Sequence, residues 1–387
     1  MGFKKYTKEQ AIKAKEQKKE QLSDFTQQRV KFLIESTPEG LPLWESPILN
    51  SKASNPVSHT TYSPSNTVLL ASQIFNRAIT EDQDSKNEFK GLPVFLTYLQ
   101  AQKEGLVVEA GTKSYQIVKS FVKEYSFNKK ELNTDTGQFE DKEHTGFRHG
   151  QTVDNVFMLH DLKGTPSESF RRRIELSQQR TPDTQIEPLI AALEASSPVK
   201  VIRSGSFTTK SGSFYSPSHD AVNIPPSQLF KSAVEELSTL AHEIAHAWGH
   251  PDRLNRLSLR DYSKDDRIRA EEELVANIAA QAVLNHFNIA RDTQDSIESF
   301  CRNHDTYDLG WASVIKTDLD AIDRAMQAVD KTASKIIFLM EKQLVNDYQA
   351  NPDLDVSDYL KERLKLKEID SFPNTENTNK INKKKPN

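Results

Sequence analysis

The chain has 387 residues, 36% hydrophobic and 27% charged, with a formal net charge of -4, so it is long enough for two or three domains and is not a polycation. Any affinity for nucleic acid must then come from local basic patches. No apolar run reaches the roughly 18–20 residues of a membrane span, the lysine-bearing N-terminus lacks the apolar stretch of a secretory signal, and Cys301 alone can close no internal disulfide; the expectation is a cytoplasmic protein.

In chain order, residues 1–20 read as a basic helix or arm, and the apolar side of the helix grows through Phe25, Val30, Phe32, Leu33 and Ile34. Proline and serine make 36–66 mostly loop, and 67–79 a short helix. Residues 91–101, 113–130 and 152–162 read as strands separated by Gly and Asn/Asp turns. The polar stretch 161–183 reads as the linker between a first domain (21–160) and a second (184–348). In the second domain a helix is expected at 186–195, then strands near 199–202 and 221–224. Helices follow at 228–248, 268–287, 294–302 and 310–348, and 349–387 is expected to be a polar helix and a disordered basic tail. The fold class is α+β.

Residues 241–250 read AHEIAHAWGH. Residues four apart share a helix face, so His242 and His246 can meet one cation while Glu243, about 100° round, reaches a water beside it. Two imidazoles and a carboxylate suit zinc, with manganese as an alternative, and Glu243 is then the general base. Gly249 and Pro251 stop the helix just beyond. Three residues compete as third ligand. His250 keeps the spacing but falls past the helix end, and Asp252 imitates a metzincin without its methionine turn. Glu273, in EEELVANIAA, starts a helix whose Ala276 and Ala280 permit close approach and whose Asn277 can steady a ligand. Glu273 is the expected ligand.

In the first half, the odd positions of 113–130 carry Lys113, Tyr115, Lys119, Phe121, Lys123 and Tyr125, so one strand face gathers aromatics and lysines. Single-stranded nucleic acid asks for that mixture, whereas an ordinary core face with lysines reaching out at its ends gives the same pattern.

LSTLAHEIAHAWGHPDRLNR followed by AEEELVANIAAQ resembles the C-terminal zincin-like metallopeptidase domain of ArdC-type antirestriction proteins, with FYSPSHDAVNIPPSQLF before it and HDTYDLGWASVIKTDLDAIDRAMQAV after it. The Glu273–Asn277 arrangement is also similar to the ImmA/IrrE-like peptidases, although many ArdC-like patterns have a carboxylate at 277. LWESPILNSKASNPVSHTTYSPSNTVLL and LPVFLTYLQAQKEGLVVEAGTKSYQIVKSF resemble the single-stranded-DNA-binding domain of the same proteins, matching at Trp44, Asn55, Tyr62, Asn66, Thr97, Gln100, Gly105, Gly111 and Lys113. Glu109-Ala110 departs from the basic residue often found before that last glycine.

The resemblance implies a single-stranded-DNA-binding domain using Trp44, Tyr62, Asn66 and the 113–125 face, and a small sheet beside a helical zincin-like domain. It also implies a strand at Val222, Asn223 and Ile224 that edges the cleft and pairs with extended substrate. The implied role is protection of entering DNA from host restriction, by coating the strand or by cleaving a host protein. Two rivals stand beside it: a DNA-binding protein with an idle metal domain, and a metallopeptidase effector whose first domain binds protein. No membrane partner is expected, and the sequence does not give the oligomeric state.

Overall fold

A computed structural model describes residues 8–39, 43–46, 48–49, 52–80, 94–132, 139–203, 212–290 and 315–371. The protein opens with α1 (Lys8–Ser36), whose basic first turns are exposed and whose later turns bury Phe25, Val30 and Leu33. It lies against α2 (Pro64–Thr80). The two-residue strands β1 (Ser54–Asn55) and β2 (Thr60–Thr61) pair between them in sequence.

A three-stranded antiparallel sheet follows in the order β3-β5-β4, from β3 (Phe95–Leu96), β4 (Tyr115–Leu132) and β5 (Phe139–Met158). The strand expected over 91–101 is cut short. Thr97 and Gln100 form a reciprocal capping box that starts α3 (Tyr98–Lys103). The strand expected over 152–162 is the end of β5, which begins thirteen residues earlier. At about 3.4 Å per residue, the 18-residue β4 is roughly 60 Å long.

The free edge of β4 is closed at its base by two amides of α2. Asn66 exchanges two hydrogen bonds with the Val118 backbone (2.8 and 2.9 Å), and Gln73 does the same with Gln116 (both 2.9 Å). These bonds occupy donors and acceptors that an edge strand would otherwise offer to another chain.

The stretch expected to be a linker instead forms α4 (Glu168–Gln178), capped by Ser167. Its helical period rests on one pair, Phe170 and Ile174, buried with Val94, Leu96, Leu106 and Leu162. The surrounding charge hides that pair in the sequence.

The second half contains α5 (Glu187–Ala195), β6 (Lys200–Arg203), β7 (Phe214–Ser216), β8 (Ala221–Ile224) and α6 (Ala233–Trp248). Then come α7 (Leu257–Arg260), α8 (Asp266–His286), α9 (Leu319–Ala350) and α10 (Asp358–Ser371). The helix expected at 294–302 and the first five residues of the one expected at 310–348 lie outside the described residues, as do Cys301 and the tail from 372.

The sheet order is β6-β8-β7, with β8 parallel to β6 and antiparallel to β7. Val222, Asn223 and Ile224 are therefore in the central strand. Val222 and Asn223 are paired on both sides and Ile224 on the β6 side, so this strand is not the open edge that a substrate would extend; the edge on the α6 side is β7.

α8 packs against both α6 and α9, and the small side chains of Ala276, Ala279 and Ala280 lie in the same core as Leu240, Ala241 and Ile244. α10 contributes Leu360 and Leu364 to that core, so the first polar helix after residue 349 is docked. The two halves also share apolar packing: Leu33, Leu43, Trp44 and Val68 are buried with Leu274, Ile278, Ile322 and Met326. The expected boundary thus does not separate two independent cores. No helix among the described residues is long and apolar enough to cross a membrane.

Candidate functional site

α6 begins at Ser232, whose side chain accepts from the Glu235 backbone N–H (3.1 Å), and ends at Gly249. Four residues of spacing bring His242 and His246 onto one face, with Nε2 atoms 3.0 Å apart and rings at 82°. The Glu273 carboxylate arrives from α8, with Oε2 3.5 Å from His242 Nε2 and Oε1 3.6 Å from His246 Nε2. A tetrahedral cation with bonds of about 2.0–2.1 Å sets its ligand atoms ~3.3 Å apart. These three residues are the group that can hold a metal among the described residues, and they fit one.

The three consecutive glutamates of α8 do three different things, because successive helix positions turn by about 100°. Glu271 faces outward to Arg324 (2.8 Å). Glu273 faces the histidines. Glu272, fully buried, accepts from His246 Nδ1 (3.0 Å), Ser258 Oγ (2.6 Å) and Arg256 Nε (3.0 Å), with a further bond from Arg256 Nη2. Burial would raise the Glu272 carboxyl, but Arg256 and His246 outweigh it and hold it down to about 2. Being ionised, Glu272 can only accept, so His246 carries a proton on Nδ1 and its Nε2 addresses the shared point. Sequence reasoning missed Glu272; its only signal was a glutamate one residue from a ligand.

Gly249 has a second reason to be glycine. Its φ of -74° suits any residue, but an added Cβ would stand 2.7 Å from Arg256 Nη2 and 2.8 Å from Cζ. The guanidinium that supports Glu272 packs where a side chain would be. Arg256 also donates to the Ala245 carbonyl (2.8 Å) and to Thr332 Oγ1 of α9 (3.0 Å).

Glu243 is 7% exposed, and its Oε2 accepts the Tyr215 backbone N–H from the edge strand β7 (2.8 Å). Burial, opposed by His246 and reinforced by Glu273, pushes its carboxyl up to about 7. At His246 burial works downward. The bond to Glu272 and the charges of Glu273 and Glu243 prevail, lifting it to about 9. The field of these carboxylates draws positive charge, and a proton and a cation compete to answer it.

Tyr262, not foreseen from the sequence, donates its phenol to Glu273 Oε1 (2.6 Å), and its ring stands edge-on to His246. Burial and Glu273 keep it protonated. A cavity of about 390 Å³ opens beside it, lined by Pro217, His250, Pro251, Leu259 and Arg260.

The rival ligands are elsewhere. Asp252 is exposed and turns to His250, whose Nδ1 accepts the Asp252 N–H (3.3 Å). Asn277 braces the backbone and not the ligand: its Nδ2 donates to the Glu273 carbonyl one turn back (2.9 Å).

Two family models match in the order that the fold presents. Residues 23–157 match the N-terminal domain of the anti-restriction factor ArdC, and residues 192–328 match a zincin-like metallopeptidase. The chain belongs to the ArdC-type antirestriction family. The crystal structure of metal-free ArdC from plasmid R388 shares the fold at 22% identity and a TM-score of 0.50, covering 82% of this chain and 98% of that one. Two curated relatives, both DNA primase TraC of Escherichia coli, are 29% and 27% identical over 131 residues, 34% of this chain. The match covers only 11% and 8% of their lengths.

The ArdC-type N-terminal half divides its expected contact residues. Trp44 is 2% exposed and sits in the packing shared by both halves, so it has no face for a base. Tyr115 is equally buried, edge-on to Phe95, with the Arg77 guanidinium over its ring. Asn66 is used up on Val118. Tyr62 is half-buried and donates to the Phe95 carbonyl (3.2 Å). Tyr115, Asn66 and Tyr62 hold the sheet, and Trp44 holds the two halves together. Lys113, Lys119 and Phe121 are exposed. The side chains of Lys123 and Tyr125 lie outside the described residues, although their strand is within them.

Proposed function

We propose that this ArdC-type protein binds single-stranded DNA along its β4–β5 ribbon and hydrolyses peptide bonds at a divalent-metal centre, in the service of protecting entering DNA from restriction. The observation that carries the hydrolytic half is the convergence of His242, His246 and Glu273 with Glu243 beside them. A divalent cation held by those three residues supplies Lewis acidity toward a water and a scissile carbonyl; zinc suits the donor set, and manganese is compatible with it. Glu243, held by the Tyr215 N–H and pushed up to about 7, takes the proton of the attacking water and passes it to the leaving amine. The Tyr262 phenol, which donates its single proton to Glu273 Oε1, turns that proton to the carbonyl oxygen when substrate binds and stabilises the negative charge that develops there. The neighbouring 390 Å³ cavity is of a size to accept a substrate side chain.

The DNA half is supported by the ribbon's register. Position 119 pairs with 152, 121 with 150, 123 with 148, 125 with 146, 127 with 144 and 129 with 142. With a period of two, these are register positions of one face, and in the sequence Lys119, Lys123, Lys129, Lys142 and Arg148 occupy five of them and no acid any of them. Phe121 lies over Gly150, and Phe127 stacks on His144 with rings at 27°. Glu124, Asp141 and Glu143 occupy positions of the opposite face. Aromatic surfaces interleaved with cations suit bases and phosphates together.

Glu243→Gln tests the hydrolytic reading. The variant is expected to keep its metal and lose peptide hydrolysis; antirestriction that survives the change would leave the metal domain idle in that role. Oligonucleotide binding should weaken steeply as salt rises, and an absent or salt-insensitive interaction would favour a protein partner for the first half.

A further inference from the structure

A second cavity, of about 250 Å³, lies on the seam between the two halves, away from the metal-binding group. Lys52, Thr61 and Tyr62 line it from one side, and His286, Ile337 and Arg363 from the other. Its polar end is a buried charge cluster. Glu341 accepts from Arg363 Nε and from His286 Nε2 (2.9 Å), and Thr61 Oγ1 is 2.8 Å from His286 Nδ1. Lys52 Nζ meets only neutral acceptors, the Ser177 carbonyl (3.2 Å) and Asn288 Oδ1, with its ammonium 4.7 Å from the Tyr359 ring.

The charges do not balance. Two cations, Lys52 and Arg363, line the cavity with one carboxylate, Glu341, which Arg363 bonds and Lys52 does not, and Arg363 Nη1 is buried with no hydrogen-bond partner. Burial and Arg363 lower Lys52 to about 7, and burial followed by Arg363 lowers His286 to about 4. Burial is the larger cause of both shifts, and the nearby charge of Arg363 adds to each. An uncompensated cation in a cavity wall is costly, and an anion in the cavity offsets that cost. The other end of the cavity is apolar, made by Ile278, Ala282, Ile337 and Phe338. The volume exceeds that of a lone inorganic anion, and the two ends ask for one molecule with an anionic head and a flat apolar body.

We propose that the seam cavity is a binding site for a nucleoside monophosphate, free or as the phosphorylated end of a DNA strand, with the phosphate on Lys52 and Arg363 and the base against Ile337 and Phe338. Because the wall is drawn from both halves, occupancy ties the DNA-binding half to the metal-bearing half. The site is independent of the ribbon and of the metal centre.

Calorimetric titration of the full chain with dAMP, deoxyadenosine and inorganic phosphate tests it. dAMP is expected to bind at least tenfold more tightly than either fragment. Two variants are expected to weaken it at least tenfold: Lys52→Met, which removes one cation, and Ser334→Trp, which plugs the mouth from an exposed helix position with every charge retained. A 5′-phosphorylated oligonucleotide that competes with dAMP, where its 5′-hydroxyl counterpart does not, assigns the site to strand ends; competition by neither assigns it to free nucleotide, and equal competition by both overturns the role of the phosphate. The proposal is overturned if dAMP fails to bind at millimolar concentration, if both variants bind it as the wild type does, or if chelation of metal abolishes binding.

Discussion

Glu272 accepts a hydrogen bond from His246 Nδ1 at 3.0 Å while Arg256 grips the same carboxylate through two nitrogens. A residue outside the metal-binding group thus fixes the direction of one within it. Partners of this kind are worth about 10–100-fold in metal affinity. Glu272→Gln should weaken metal binding by that factor in a chelator competition, and should lower stability by about 3–5 kcal/mol because Arg256 is left buried without its counter-charge. Unchanged affinity would mean that packing alone holds the ring.

Removal of the third ligand separates the centre from its rivals. Elemental analysis of purified Glu273→Gln and His246→Ala should find the metal lost or strongly depleted, whereas Asp252→Asn should retain it in full. Loss of metal from the Asp252 variant would overturn the assignment of Glu273.

Tyr262→Phe removes only the phenol oxygen that stands 2.6 Å from Glu273. Metal content should stay constant and peptide hydrolysis should fall by roughly 10²–10³, the effect of losing one donor to a developing oxyanion. If kcat stays at the wild-type value, the phenol serves only to position Glu273.

Trp44 and Phe121 make opposite predictions. Trp44→Ala opens a void in packing shared by both halves and should cost about 3–5 kcal/mol of stability, with little effect on oligonucleotide affinity for the folded fraction. Phe121→Ala, at an exposed position, should leave stability nearly unchanged and weaken single-stranded DNA by roughly fivefold to a hundredfold, the worth of one stacked base at about 1–3 kcal/mol. Reversal of the two phenotypes would remove the ribbon from the interface.

Acid stability should report His286. The unfolded imidazole takes its proton near 6.5, the buried one only near 4, so in that window the unfolded state binds more protons and stability falls as pH falls. Denaturant titrations from pH 8 to 4 should show this slope in the wild type and a flatter one in His286→Gln. Parallel curves would place the acid sensitivity in another group.

What the sequence determined by itself is whatever depends on short-range geometry. Four-residue spacing on a helix puts His242 and His246 on one face wherever the helix goes, and a two-residue period aligns Lys119, Phe121 and Lys123 whatever the sheet packs against. Glu273 was legible too, because small residues one turn along announce a close helix pair.

Only the tertiary structure decided what each face meets. The same aromatic pattern buries Tyr115 at the base of β4 and exposes Phe121 six residues on, because α2 covers only the base. Val222–Ile224 has the composition of any strand, and its central place depends on residues 200–203 and 214–216 pairing to either side. Glu271, Glu272 and Glu273 are indistinguishable as letters; a rotation of about 100° per residue and the positions of Arg324, Arg256 and the histidines give each its separate task. Periodicity fixes direction relative to the chain, and packing across distant segments fixes what lies in that direction.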